Sequence, residues 1–192
     1  MRGWVAGQVV GRLTAEANRW VVGSLGIVPG DRVLDVGCGP GLGLAIAAAA
    51  APGVFAAGVD PSPVMLRQAR RRNRGPVREG RVAVVGGDAS ALPFPDGHFD
   101  KVWSLNSMQF WPVPEVATRE LRRVLVPGGG VVVALMARSD DPPPVQPPPW
   151  LIEVAGVMGD CGLGKIRFDR RAFGGVTHWA LAGARAGVTV TG

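Results

Sequence analysis

Short apolar runs closed by glycine or an acid alternate along this chain with stretches whose apolar residues recur at helical spacing. Val33-Leu34-Asp35-Val36, Val54 to Val59, Arg81 to Val85, Phe99 to Ser104 and Val131 to Ala137 read as five strands. Between them, Leu42 to Ala51, Val64 to Arg74 and Glu115 to Leu125 read as helices. Turn residues punctuate the alternation: Pro29-Gly30-Asp31, Pro52-Gly53 and Val126 to Gly130 separate elements, and Ser62 before Pro63 is a helix start. Ahead of the first strand, Trp4, Val5, Val9, Leu13, Ala17, Trp20, Val21 and Leu25 predict an amphipathic helix over 4–25. After the fifth, Asp140 to Pro149 is a stiff proline-rich connection expected at a pocket rim. A short helix over Leu151 to Cys161 and two strands, Lys165 to Phe168 and Val176 to Ala182, close the chain as a hairpin. The alternation predicts an α/β fold with a mostly parallel sheet.

The densest signal is Val33-Leu34-Asp35-Val36-Gly37-Cys38-Gly39-Pro40-Gly41, a buried strand running through a glycine loop into a helix. Glycines at Gly37 and Gly39 suit a turn that something approaches closely. The dinucleotide fingerprint G-x-G-x-x-G/A does not fit. Counting from Gly37 puts Leu42 in the last position, and counting from Gly39 puts Leu44 there. Asp35 stands two residues before the first glycine, where a carboxylate would repel a pyrophosphate and welcome a positive group. A cationic or zwitterionic ligand is expected.

Composition bounds the rest. With 192 residues, 47% of them hydrophobic and 19% charged, the chain suits one ordinary globular domain. Cys38 and Cys161 are too far apart in sequence for a metal or disulfide pattern, so a reducing cytoplasm is the expected compartment and no metal is expected. The N-terminal stretch lacks the pattern of a secretory signal, and the uncharged run from Val36 to Val59 is broken by the glycine loop and Pro52-Gly53, so no membrane span is expected. The formal charge of +6 gathers partly on Arg67, Arg70, Arg71, Arg72, Arg74, Arg78 and Arg81. No aromatic residues interleave with these arginines, so a solvated helix face is favoured over a nucleic-acid surface.

The run VLDVGCGPG resembles motif I of the class I S-adenosylmethionine-dependent methyltransferases. GVDPSPVML, GDASALPFPDGHFDKVWS and RELRRVLVPGGGVVVAL are similar to that family's following segments in the same order, so the resemblance covers roughly residues 30 to 137. It implies a Rossmann-like, seven-stranded, mostly parallel doubly wound sheet with a terminal antiparallel hairpin. The chain would be one methyltransferase domain over 1–192, with an N-terminal helical cap over 1–28, a cofactor-binding core over 30–137, the connection over 138–149 and the closing helix and hairpin over 150–192. It also implies S-adenosyl-L-methionine as cofactor, held by Asp35, Gly37, Cys38, Gly39, Asp60, Pro61, Asp88, Ala89 and Leu105. Asp60, at the end of the second strand, is expected on the ribose hydroxyls. Pro61 is expected on the adenine face, Asp88 on its exocyclic amine and the Ala89 N–H on a ring nitrogen.

Leu105 to Trp111, beyond strand 4, are expected to face the transferring methyl group. Ser-Leu-Asn-Ser there departs from the acid or amide, two prolines and aromatic of enzymes that methylate nucleic-acid amino groups, and Asp141-Pro142-Pro143-Pro144 reads as a linker turn. His98, expected near the adenine end, and His178 are candidates for a base, and Asn106 for orienting an acceptor. Asn18, Arg19 and Trp20 are candidates for ligand contact. Trp4, Trp20, Phe110 and Trp111 suggest an apolar or aromatic small-molecule acceptor. A protein of the same fold that binds the cofactor without methylating, as a small-metabolite cyclase or a non-catalytic subunit, is the alternative. Homo-oligomerisation is left open.

Overall fold

The computed structural model describes residues 14–137, 146–174 and 176–187. A helix over 14–24, α1, precedes β1 (Arg32–Val36), α2 (Leu42–Ala48), β2 (Phe55–Asp60), α3 (Pro63–Arg72), α4 (Arg74–Arg78) and β3 (Val82–Gly86). The second half runs β4 (Phe99–Leu105), a 3-10 turn at Met108–Phe110, α5 (Pro114–Val124), β5 (Leu125–Ala137), α6 (Pro149–Asp160), β6 (Leu163–Phe173) and β7 (Val176–Arg185). One seven-stranded sheet has the order β3-β2-β1-β4-β5-β7-β6. β3, β2, β1, β4 and β5 are mutually parallel, and β7 joins antiparallel to both β5 and β6. The chain reverses direction across the sheet between β1 and β4, which in a parallel sheet opens a crevice at the carboxyl ends of those strands.

Both faces of the sheet are covered, which is why the inner strands read as nearly continuous apolar runs. On one face Trp20, Val21, Val22 and Leu25 of the N-terminal segment and Leu44 and Ala47 of α2 pack on Val33, Ala56 and Trp103. On the other, Ala117, Leu121 and Val124 of α5 and Leu151 and Met158 of α6 pack on Leu34, Val102, Val131 and Leu181. α2 lies so close to β2 that a Cβ at Gly58 would sit 2.6 Å from Leu44 Cδ1 and 2.9 Å from Cys38 Cβ. Side chains are excluded at that position to let the helix approach.

Several boundaries differ from the sequence expectation. The long third helix stops at Arg72, because Asn73 turns its amide back to donate to the carbonyls of Ala69 and Gly41 at 2.9 Å each. Ser62 caps that helix as expected, accepting from Met65 N at 3.4 Å. β5 reaches back through the expected glycine turn to Leu125, with a register shift opposite Phe99 and Lys101. β6 is far longer than Lys165 to Phe168, because as an edge strand it is exposed along most of its length and carries no alternating apolar signal. The expected helix over 4–13 and the linker over 140–145 lie outside the described residues. Among the described residues no helix is long and apolar enough to cross a membrane.

The irregular loop between β3 and β4 borders the crevice and is fastened to α5 by one arginine. Arg123 donates from Nη2 to Leu92 O at 3.0 Å and from Nη1 to Phe94 O at 2.8 Å and Asp96 Oδ1 at 2.7 Å. Glu120 accepts from Arg123 Nε at 2.6 Å and from Leu92 N at 2.8 Å, which holds its carboxyl below the ordinary carboxylate range. Truncation R123A removes the donor from two carbonyls and from the Asp96 and Glu120 carboxylates, and should cost about 1–3 kcal/mol of stability in denaturant titrations. A carboxyl held low in the folded state stabilises fully above its unfolded value and loses that contribution as pH falls through the folded one. The melting-temperature gap between wild type and E120Q should therefore be full at neutral pH and shrink once pH drops below 4.5.

Candidate active site

At the carboxyl ends of β3, β2, β1 and β4 a cleft of about 280 Å³ is lined by Val36, Gly37, Gly39, Val59, Asp60, Pro61, Gly87, Asp88, Ala89, Asn106, Ser107, Phe110 and Trp111. Four neighbouring strands span three inter-strand steps, about 14 Å. That length suits an extended nucleoside with a tail better than a compact metabolite.

The glycine loop forms its floor, and its main chain is already engaged. Gly37 N and Cys38 N donate to Val59 O at 2.8 and 3.0 Å, Gly39 N to Asp60 Oδ2 at 2.9 Å, and Gly41 N to Cys38 O at 3.0 Å. Position 40 is proline, so no N–H between Gly37 and Gly41 is left over. A phosphate cradle needs those amides aimed at the ligand. This loop offers shape instead, with φ of 78° at Gly37, 50° at Gly39 and 76° at Gly41. A Cβ at Gly39 would meet nothing within 4 Å, whereas one at Gly37 would lie 2.1 Å from Ser107 Oγ. The open space is above Gly39, and Ser107 covers Gly37.

Asp60 is buried, with Oδ1 accepting from Ser62 N at 2.8 Å and Oδ2 from Gly39 N. Each oxygen keeps a further lone pair, and the residue lines the cleft. Pro61 lies beside it. Asp88 is exposed, holds Ser90 N on Oδ1 at 2.7 Å, and is followed by Ala89, whose N–H has no acceptor among the described residues. A free carboxylate oxygen next to a free amide is a donor and acceptor reader at the far end of the cleft. The unfilled space over Gly39, this reader and the Asp60 carboxylate fit a neutral purine nucleoside with a positive tail.

Other expected site residues lie elsewhere. Asp35 points to the α2 face of the sheet, where its Oδ2 and Asn18 Oδ1 would be 2.7 and 2.9 Å from a Cβ on Gly43. Burial first, and the Asp60 charge second, raise its carboxyl well above the usual range. Cys38 turns its sulfur toward Gly58, and burial raises its thiol above the ordinary value. Leu105 shares the α2-side face with Trp103 and packs into that core instead of lining the cleft. Asn18 donates to Thr14 O within its own helix, Trp20 Nε1 donates to Asp169 Oδ2 at 3.2 Å, and Arg19 lines a shallow groove between α1 and α2. None of the three borders the cleft, and Trp4 is outside the described residues.

The histidines also move. His98, expected at the adenine end, directly precedes β4 and so lies at the amino edge of the sheet, against Arg32 and between Phe94 and Phe99. A seven-residue strand separates it from Asn106, roughly 20 Å. Burial and the Arg32 charge lower its pKa. His178, buried in β7 opposite Met136, has Nδ1 3.2 Å from Val176 O and its ring against Phe173. Burial lowers its pKa too, the Val176 carbonyl opposing. Of the three catalytic candidates, Asn106 alone lines the cleft. Sequence reasoning passed over Gly87, where a Cβ would meet Val59 Cγ2 at 2.9 Å; its place after strand 3 was the available signal.

A mostly parallel doubly wound sheet with a nucleoside-sized cleft at its switch point is the architecture of proteins that bind a nucleoside-containing cofactor. The sequence profile of the family described as "Methyltransferase domain" matches residues 34–133. The chain therefore belongs to the class I S-adenosylmethionine-dependent methyltransferases. It is 32% identical over 124 residues to the uncharacterized methyltransferase YdaC of Bacillus subtilis (strain 168), covering 65% of this chain and 66% of that protein. It is 38% identical over 108 residues to the 27-O-demethylrifamycin SV methyltransferase of Amycolatopsis mediterranei (strain S699), covering 56% of this chain and 39% of that protein. The [4+2]-cyclase SpnF shares the fold, with a TM-score of 0.75 at 21% identity over 90% of this chain and 82% of that one. Other solved proteins of this fold hold S-adenosylmethionine.

G39A puts a methyl group into open space at a positive φ and should cost about 1–2 kcal/mol of backbone strain. G37A adds a clash with Ser107 and should be clearly the less stable of the two when their melting curves are compared.

Proposed function

We propose that the protein transfers a methyl group from S-adenosylmethionine to a small-molecule acceptor bound beyond β4. The observation that carries this reading is the loop of engaged amides beside the Asp60 carboxylate: it disfavours a pyrophosphate and favours a neutral nucleoside with a cationic tail. Asp60 would accept from the ribose hydroxyls with the lone pairs left by Gly39 and Ser62, and Pro61 would lie on the adenine. Asp88 and the Ala89 amide would read the purine edge, and the space above Gly39 would take the amino-acid tail. When bound, S-adenosylmethionine supplies a methyl carbon on a positively charged sulfur, open to in-line displacement.

The chain's own contribution is alignment and exclusion of water. Trp111, buried, and Ser107 wall the methyl end, with the indole Nε1 donating to Ser107 Oγ at 3.3 Å. Among the described residues no histidine or carboxylate lines that end, and none of them is assigned as a base for the transfer. Phe110, 77% exposed at the mouth, presents apolar surface to an acceptor. The rifamycin relative supports a small organic acceptor.

Incubation with methyl-labelled S-adenosylmethionine and a small-metabolite extract should move label to an organic product and release S-adenosylhomocysteine. H98A should leave that rate within about twofold of wild type, since the side chain is on the opposite edge of the sheet. Binding of the cofactor with no label moved would favour a non-methylating role, as in the [4+2]-cyclase SpnF, and label on protein or nucleic acid would contradict a small acceptor.

A further inference from the structure

Asn106 is held in an unusual way. Its φ is 55°, in the left-handed region where asparagine is among the few tolerated side chains. Its own N–H donates to Ala134 O at 2.9 Å, and its carbonyl accepts from Gln109 Nε2 at 2.9 Å. The side chain is fixed as well, because Oδ1 accepts from Met136 N at 2.7 Å. A backbone amide can only donate, so this bond decides which end of the carboxamide is which. The acceptor end is committed to β5, and the Nδ2 hydrogens are left for the cleft, where nothing among the described residues accepts them.

Ser107 is next to it. The Trp111 indole donates to Ser107 Oγ, which occupies one of that oxygen's lone pairs and leaves the hydroxyl hydrogen free to turn inward. The methyl end of the cleft thus presents two adjacent donors, and its other lining residues there, Phe110 and Trp111, bring apolar surface. Asp60 is two strands away, about 10 Å, with both oxygens tied to main-chain amides.

We infer that Asn106 and Ser107 are a specificity-determining donor pair for an acceptor that arrives as an oxygen anion, a carboxylate or an ionised phenol, on an apolar body. Donors read lone pairs, and an amine acceptor would need the opposite, a group to take its protons. An oxygen anion has already lost its proton, which agrees with a lining that holds no base there among the described residues. In the transfer the anionic oxygen forms a bond to the methyl carbon, the sulfur–carbon bond breaks with its electron pair staying on sulfur, and no proton moves. This inference rests on the methyltransferase reading for its chemistry, but the donor pair can be read by binding alone.

The test uses three probes with similar aromatic bodies: 3-phenylpropionate, 3-phenylpropylamine and 4-cyanophenolate, each titrated calorimetrically into the protein saturated with S-adenosylhomocysteine. Wild type should bind the better of the two anions about tenfold or more tighter than the amine, and the anion preferred identifies the acceptor class. N106D keeps an oxygen for Met136 N, tolerates the same φ, and turns the cleft end from donor to acceptor. It should melt near the wild-type temperature and reverse the preference toward the amine. Equal binding of anion and amine by wild type, or an N106D protein that still prefers the anion, would overturn the inference. Label transfer separates it from the reading it rests on. Discrimination between probes without any methyl transfer sinks the methyltransferase and keeps the donor pair, whereas methylation of amines alone sinks the donor pair and keeps the methyltransferase.

Discussion

The Asp60 carboxylate holds the site together. It joins the glycine loop after β1 to the first turn of α3 by accepting from Gly39 and Ser62, and in doing so it takes the amide that a phosphate would otherwise use. With Gly37 and Cys38 donating to Val59, the first βα turn is pinned along the end of β2. The loop becomes a shaped surface with a negative flank, not a nest for anions. A ligand resting there must bring its own positive charge or none, and that constraint orders the cleft from the Asp88 end to the Asn106 end.

The sheet makes this arrangement possible at low conformational freedom. β1 and β2 are buried from both sides, so the strand ends that carry the loop and Asp60 cannot shift without disturbing two cores. Gly58 lets α2 settle on β2, and Asn73 ties α3 to the end of the glycine loop through Gly41 O. At the other side of the cleft the Arg123 and Glu120 pair fixes the loop that follows Ala89. Between the rigid floor and the fastened rim, the Phe110 turn is the exposed apolar part of the lining.

Much of this was legible in the chain itself, for local reasons. The apolar runs gave β1, β2 and β4 almost to the residue, and the Ser62-Pro63 start of α3 follows from capping chemistry alone. Asp60, Pro61, Asp88 and Ala89 border the cleft because strand ends in a parallel sheet point there. What failed depended on facing or on distant partners. Leu105 belongs to the wrong face by the alternation that Trp103 sets, and His98, which directly precedes a parallel strand, is carried to the opposite edge. β6 could not be sized because an exposed edge strand rich in arginine has no apolar rhythm. The Met136 bond that orients Asn106 spans thirty positions and leaves no trace in spacing.

The most direct measurement is a calorimetric titration of S-adenosylhomocysteine, with NAD as the comparison, into wild type and D60A. Wild type should bind the sulfur nucleoside in preference to NAD, and D60A should lose about tenfold or more in affinity as both the sugar contact and the loop's fastening disappear. Unchanged affinity in D60A, or a wild type that prefers NAD, would contradict the account.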